Sequence, residues 1–398
     1  MANRKPSRIF TVNSGSSSIK FSLYEMDEAE TRVLSGRIEG IGLQSGAFHV
    51  DDRLGRRILD KPLKLPNHAE ALREAVDYLQ GEPSIRKLEA VGHRLVHGGK
   101  RFIRTHIVTP DLLEEIEQLI PLAPDHMPHE INAIRVFATA FPKLKQVACF
   151  DTAFHRDMPP IAQIYAIPWK LRQEGIIRYG FHGLSYEYIA GEFRRETVEK
   201  KSADRLIIAH LGNGASMAAI KSGKSLDTTM GFSPAGGLVM STRTGDLDPE
   251  VLLYLFREKS MDLPAVNRMV NKEGGLLGIS GISAGMEDLL AREADNHRAA
   301  EAIELFCYQA RKFLGALAAV LGGLDALIFT GGIGENAPSI RLRICASLEF
   351  LGIRLDPDRN DANEPIISQP QSAVTVRVMK TNEELMIARH TYRLINNR

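Results

Sequence analysis

Two short stretches, far apart in the chain, are built alike. Arg8–Val12 and Ile19–Tyr24 are apolar, alternating runs around a small polar turn, the pattern of a β-hairpin. Arg205–His210 and Ala215–Ile220 flank Leu211-Gly212-Asn213-Gly214 in the same way. Hairpins are common, so chance recurrence is the competing explanation. A duplicated unit constrains the fold more than any single motif does: it implies two related domains, each opening with a phosphate-facing hairpin. The length of 398 residues agrees, being too great for one ordinary core.

The segments between the hairpins set the class. Ala71–Leu79 and Leu112–Leu119 have the apolar spacing of amphipathic helices, and Leu144–Phe150 has that of a buried strand ending at Asp151. Glu301–Leu321 is a long helical stretch followed by the strand Ala326–Phe329. Strands alternating with helices imply an α/β fold. Thr381 and Glu384 form a capping box that opens a last helix over Leu385–Ile395, with Glu383 at its entry. No low-complexity linker separates the halves. A tight crossover near Phe150 is expected, with the active site in a cleft between the domains.

Bulk properties exclude several function classes. Lys and Arg number 50 against 49 for Asp and Glu, which argues against a surface for nucleic acid or anionic lipid. The three cysteines, Cys149, Cys307 and Cys345, fit neither a zinc pattern nor a disulfide framework, as expected in a reducing compartment. The first residues, MANRKPSRIF, lack an apolar signal core, so a cytoplasmic location is expected. Phe313–Gly334 is the most apolar stretch, but Asp325 and several glycines interrupt it; a helix, a Gly-Gly turn and a buried strand are expected rather than a membrane span.

Six segments carry groups suited to phosphate chemistry. In Asn13-Ser14-Gly15-Ser16-Ser17-Ser18-Ile19-Lys20, small residues let backbone amides form an anion nest, Lys20 adds charge, and Asn13 offers an oxygen to a hydrated Mg2+. In His93-Arg94-Leu95-Val96-His97-Gly98-Gly99, Arg94 lies between apolar neighbours and suits a carboxylate or phosphate fork. Asp151, in Phe150-Asp151-Thr152-Ala153-Phe154-His155, closes a buried strand. His182 stands between glycines in Gly180-Phe181-His182-Gly183, where imidazole can donate to a phosphoryl oxygen. His210–Gly214 is a second nest-forming turn, and Ser241–Asp246 sets Arg243 on a loop of small residues. Thr330–Ala337 runs from a strand into a helix, so its amides and helix dipole can face a phosphate. Taken singly, each has a plain structural alternative: a hairpin turn, a structural salt bridge at Arg94, a helix cap at Asp151, a loop histidine at His182, a surface loop, or a tight turn without ligand.

Two patterns mislead. Gly332-Ile333-Gly334-Glu335-Asn336-Ala337 fits G-x-G-x-x-A, with Asp356 at a suitable distance after a possible strand Ile353–Leu355. Too few residues follow Asp356 to finish a dinucleotide-binding half. Gly223-Lys224-Ser225 resembles the end of a Walker loop, but Ala218 stands where that loop needs glycine; a hairpin turn is expected.

Together these segments resemble the acetokinase family, from Ile9 to about Arg389. Asn13–Lys20, His93–Gly99, Phe150–His155, Tyr165–Pro168 with Arg178–Gly183, His210–Gly214, Lys224–Pro249, Asn271–Gly281, Gly331–Asn336 and Thr381–Leu385 follow the family's order. The resemblance implies two duplicated ribonuclease H-like, actin-like domains, as in sugar kinases and the Hsp70 ATPase: residues 1–150 with 385–398, on the acid and metal side, and residues 151–384, on the nucleotide side. It implies transfer of phosphate from ATP to acetate, giving ADP and acetyl phosphate, with Mg2+ or Mn2+, in a homodimer. By position, Asn13 and Glu383 would meet the metal, Arg94 and Arg243 the carboxylate and the moving phosphoryl group. Asp151 would be the catalytic or orienting carboxylate, and His182 would stabilise the transition state. Val96, His126, Phe181 and Pro234 would surround the acid. Lys20, His210, Leu211, Gly212, Asn213 and Gly214, with Gly331, Gly332, Ile333, Gly334 and Glu335, would line the nucleotide.

The departures fall at the specificity ends. Asp125 replaces a residue expected near the acid's methyl pocket, Leu184-Ser185-Tyr186 stands where Thr-Ser-His is usual, and Gly285 and Glu287 replace the Asp and Arg expected at the adenosine. Propionate or butyrate as the acceptor acid, or another phosphoryl donor, therefore remain open. An actin- or Hsp70-like ATPase module without acyl phosphate chemistry is the rival of another class.

Overall fold

The computed structural model describes residues 6–15, 18–82, 85, 87–197 and 204–396. Both expected hairpins are present. β1 (Ser7–Ser14) pairs antiparallel with β2 (Ser18–Met26) and sets Asn13 opposite Lys20. Ser16 and Ser17 of that loop lie outside the described residues. β2 continues antiparallel through β3 (Thr31–Glu39) to β4 (Gly46–Asp52) and β5 (Arg57–Leu63), three strands the sequence reading did not isolate. On its other side β1 runs parallel to β6 (Leu88–Leu95). β7 (His106–Ile107) edges the sheet, and β8 (Lys145–Phe150) lies parallel to β6. The order is β5-β4-β3-β2-β1-β6-β8-β7.

The second sheet repeats the central part of the first. β9 (Arg205–Leu211) and β10 (Ala215–Lys221) form the hairpin, and β11 (Lys224–Thr228) extends it antiparallel. β12 (Ala326–Thr330) and β13 (Thr375–Val378) add parallel strands on the other side of β9. The order β11-β10-β9-β12-β13 matches β3-β2-β1-β6-β8 in both sequence and strand direction. The duplication inferred from the two turns thus extends to five strands in each unit, the actin-like arrangement.

The chain divides into two compact units, residues 1–153 with 382–398, and residues 154–381. In the first, Phe10, Phe21, Phe48 and Phe137 pack in one buried cluster, with Phe10 and Phe21 centroids 5.4 Å apart. Aromatic packing of this kind supplies much of a core's apolar burial. The helix His68–Gly81 opens on Asn67, whose side chain accepts from the Glu70 amide, and Pro110–Glu117 opens on Thr109.

The terminal helix Glu383–Ile395 also belongs to the first unit. Its cap is Asn382, which accepts from the Leu385 amide, and not Thr381 of the expected capping box. Tyr24 donates to Asn382 at 3.1 Å, and Arg389 grips Glu30 with two bonds of 2.8 and 2.6 Å. Gly92 on β6 is the contact point: a Cβ there would collide with Thr391 and Ile387 of this helix. Glycine therefore lets the helix lie on the sheet and brings its first residue, Glu383, to the end of β1.

Phe313–Gly334 resolves as expected into the end of helix His297–Leu321, a turn at Gly322 and Gly323, and buried β12. No helix among the described residues is long and apolar enough to cross a membrane. Lys221–Lys224 is a hairpin turn between β10 and β11. Ile353–Leu355 is not a strand; Leu355 makes only an isolated bridge to Ser368, and Asp356 caps the short helix Pro357–Asp361. All three cysteines are buried.

Candidate active-site residues in each unit

In the first unit, the C-terminal ends of three neighbouring strands converge. Asn13 is near the end of β1, Arg94 near the end of β6, and Asp151 follows β8 directly. Strand pairing sets Arg94 beside Cys149, two residues short of Asp151. Arg94 donates through Nε and Nη2 to the two oxygens of Asp151, at 3.1 and 2.5 Å. Its Nη1 donates to the Asn13 amide oxygen at 3.3 Å, and its Nε lies 3.8 Å from Glu383. Asn13 in turn donates to Glu383 at 3.2 Å. Burial alone would lower the Arg94 pKa, but the charges of Asp151 and Glu383 outweigh it and hold the guanidinium firmly charged. The Asp151 side chain is fully buried.

Other expected residues lie around this cluster or apart from it. Val96 is buried, and its amide donates to Glu130 Oε2 at 2.9 Å. His126 caps the helix Met127–Ala140 without a side-chain bond to its amides. Lys20 is exposed and makes no ion pair among the described residues, though its charge opposes the burial and the neighbouring Glu383, which together raise the Glu384 pKa. His68 bonds the Gly15 carbonyl at 2.8 Å and stacks on His129 at 3.8 Å, so the Asn13–Lys20 loop is held from below by an imidazole pair.

In the second unit, two side-chain nitrogens meet over one glycine. A Cβ on Gly214 would lie 3.3 Å from His182 Nε2 and 3.5 Å from Arg243 Nη1. The turn between β9 and β10 therefore stays bare where those two side chains approach. His182 has φ +58°, in the left-handed region that residues other than glycine adopt infrequently. Its ring is fixed from behind: Nδ1 bonds Ser216 Oγ at 2.8 Å, and Tyr186 bonds the same hydroxyl at 2.5 Å. The His182 and His210 rings stack at 4.4 Å, and His210 Nδ1 bonds Ser185, which also bonds Thr381. Arg243 donates to the Pro234 carbonyl at 2.9 Å, so Pro234 orients the arginine. Phe181 is buried, and its carbonyl bonds His155 Nε2 at 2.9 Å.

The two glycine turns of this unit are neighbours. A Cβ on Gly212 would lie 3.8 Å from the Gly332 amide. Leu211 is buried, and Asn213 bonds Ser241 through its side chain at 3.3 Å and through its carbonyl at 3.2 Å. Gly331–Asn336 forms a single helical turn directly after β12. Glu335 occupies part of its mouth: its Oε1 accepts from the Gly331 amide at 2.9 Å and from the Thr381 amide at 3.3 Å. Gly332 is exposed, Ile333 half-buried and Gly334 buried.

Sequence reasoning missed Ser216, Ser185 and Glu130, which bear on these residues only through long-range contacts. Tyr186 was visible only as a departure from the family pattern. Gly285 caps the helix Met286–Arg292, and Glu287 is exposed in its first turn.

Comparisons with known proteins bear on the family and the fold. The sequence profile of the acetokinase family matches residues 8–389. An acetate kinase of Rhodopseudomonas palustris is 45% identical over 392 residues, 97% of this chain and 98% of that protein. A propionate kinase from Francisella tularensis superposes with a TM-score of 0.89 at 38% identity, covering 96% of this chain and 98% of that one. The Porphyromonas gingivalis acetate kinase superposes with a TM-score of 0.85 at 36% identity, covering 98% and 100%. On its profile match, its near full-length relatives and its fold, this chain belongs to the acetokinase family.

Proposed function

We propose that this chain catalyses reversible transfer of the γ-phosphoryl group of ATP to the carboxylate of acetate or a similar short acid. The observation that carries this reading is the pair His182 and Arg243, set over Gly214 with the imidazole fixed from behind by Ser216. A phosphoryl group in transfer spreads negative charge over its equatorial oxygens, and fixed donors stabilise it without reorganising. An acid carboxylate is already a nucleophile at pH 7, so no strong base is required. An ATPase module needs no Arg94, which supports a carboxylate acceptor.

Arg94 takes the acid's carboxylate and the attacked phosphoryl group, with Asp151 orienting the guanidinium. Val96, Phe181, Pro234 and His126 shape the acyl end. His210–Gly214 and Gly331–Glu335 take the nucleotide, and Lys20 its phosphates. Asn13 and Glu383, hydrogen-bonded neighbours at 3.2 Å, would hold a Mg2+ ion: one amide oxygen, turned from Arg94 to the ion, and one carboxylate suit an ion that keeps most of its waters and binds substrate phosphates. When bound, the ion would neutralise phosphate charge. A homodimer and a cytoplasmic location complete the proposal.

The test is acyl hydroxamate formation with a panel of acids from acetate to butyrate, each with ATP, other nucleotides and pyrophosphate. Acyl phosphate from a short acid and ATP is expected. ATP hydrolysis without hydroxamate for any acid would overturn the reading in favour of the ATPase module. Preference for another donor would locate the effect of Gly285 and Glu287.

A further inference from the structure

Glu130 belongs to none of the six sequence segments, yet it approaches two of the residues assigned to the acid, Arg94 and Val96. It projects from the helix Met127–Ala140 with its side chain fully buried. Oε2 accepts from the Val96 amide at 2.9 Å. Oε1 lies 3.8 Å from Arg94 Nη1 and has no hydrogen-bond partner. A buried carboxylate oxygen left unpaired is costly in the ionised form. Arg94 is also already shared between Asp151 and Glu383.

We propose that Glu130 is a positioning residue for acid recognition, holding Val96 through its amide and remaining uncharged beside Arg94 so that the guanidinium keeps attraction for an incoming carboxylate. The inference rests on the acid-site reading of Arg94 and Val96. Burial is the largest influence on Glu130; it outweighs the Arg94 charge and the Val96 amide and raises the pKa to about 8. The charged groups facing it are Arg94 from β6 and Asp151 from the turn after β8. Glu383 reaches Arg94 from the terminal helix, and His129, stacked on His68, adjoins Glu130 on its own helix. At neutral pH the 3.8 Å approach is therefore a contact between a charge and a dipole. Above the shifted pKa it becomes a third negative charge on Arg94, in direct competition with the substrate.

The experiment compares wild type, Glu130→Gln and Glu130→Leu by steady-state kinetics from pH 6.5 to 9.5, with folding checked by thermal melting. Gln keeps an oxygen for the Val96 amide and cannot ionise. Its acid KM is expected within about threefold of wild type at pH 7 and flat with pH. The wild-type acid KM is expected to climb about tenfold per unit once pH passes the Glu130 pKa. Glu130→Leu loses the amide anchor and is expected to raise the acid KM about tenfold with the ATP KM unchanged. A Glu130→Gln enzyme that keeps the wild-type alkaline rise overturns the proposal, as does a folded Glu130→Leu enzyme with a wild-type acid KM. In both cases acyl phosphate still forms, so the function reading stands. A wild type that makes no acyl phosphate from any acid removes both.

Discussion

Replacing Arg94 with alanine tests whether the first-unit cluster is catalytic, structural or both. The guanidinium holds both oxygens of a fully buried Asp151, at 3.1 and 2.5 Å, and touches Asn13 and Glu383. Its loss leaves Asp151 without its cation in a buried site. Removing one partner of such a pair costs ~3–5 kcal/mol. For a domain of 150–250 residues, that corresponds to a fall in melting temperature of about 6–20 °C. Loss of one key transition-state donor adds a fall in turnover of about 10²–10³-fold. Arg94→Ala is therefore expected to be both unstable and inactive, and stability must be separated from chemistry. The double variant Arg94→Ala/Asp151→Ala removes both charges of the pair. It is expected to recover much of the melting temperature and none of the turnover. Scanning calorimetry and the hydroxamate assay read the two quantities independently. A single variant with an unchanged melting temperature would show that the ion pair carries no stability. Near-wild-type turnover in the double variant would refute the assignment of Arg94 to the reaction.

Two further outcomes follow from the second unit. Ser216→Ala deprives His182 Nδ1 and the Tyr186 hydroxyl of their shared partner, so turnover is expected to fall about tenfold or more, with a stability loss of ~1–3 kcal/mol; an unchanged kcat would remove Ser216 from the histidine's support. His155 is buried between Ser225 and the Phe181 carbonyl, and burial lowers its pKa to about 4. Between about pH 6.5 and 4 the unfolded chain therefore binds the extra proton, so stability is complete above that window and falls as pH drops through it, by on the order of 3 kcal/mol. Melting temperature against pH should show this slope in wild type and a shallower one in His155→Gln, and equal slopes would discount the histidine.

The hairpins were legible because their signal is local: alternation in the strands and small residues in the turns. The helix over Ala71–Leu79 was legible for the same reason, its apolar spacing being written in a single stretch. β5 was not, because its side chains are mostly exposed or half-buried and show no alternation. The last helix shows how a local rule fails. Thr381 and Glu384 satisfy the capping-box spacing, but the Thr381 hydroxyl bonds Ser185 and its amide bonds Glu335. Asn382, one residue later, takes the cap and also receives the Tyr24 hydroxyl. Arg94 and Asp151 could be nominated from sequence, but their bidentate pairing depends on β6 and β8 being parallel neighbours. Glu130 had no local signal, since a single glutamate on an amphipathic helix is ordinary until its buried surroundings are known.

The repeat explains why the candidate groups sit where they do in each unit. The first, fourth and fifth strands of the shared pattern run parallel, so their C-terminal ends open on one edge of the sheet. In the first unit those ends deliver Asn13, Arg94 and Asp151. In the second they deliver His210 and Gly331, and then Thr381 shortly after β13. Parallel strands require their connections to leave from that edge, which frees backbone amides and short side chains to meet a ligand. The same positions were then given opposite electrostatics. The first unit surrounds one arginine with Asp151, Glu383 and the buried Glu130, as suits a site for a cation and a carboxylate under strict charge control. The second places glycine turns, two stacked histidines and Arg243 there, with the Glu335 carboxylate taken up by the Gly331 and Thr381 amides, as suits a site that receives negative charge. Exchanging charge types between the two edges, for example by Gly214→Asp, would set a carboxylate against His182 and Arg243 and abolish the anion preference on which phosphoryl transfer depends.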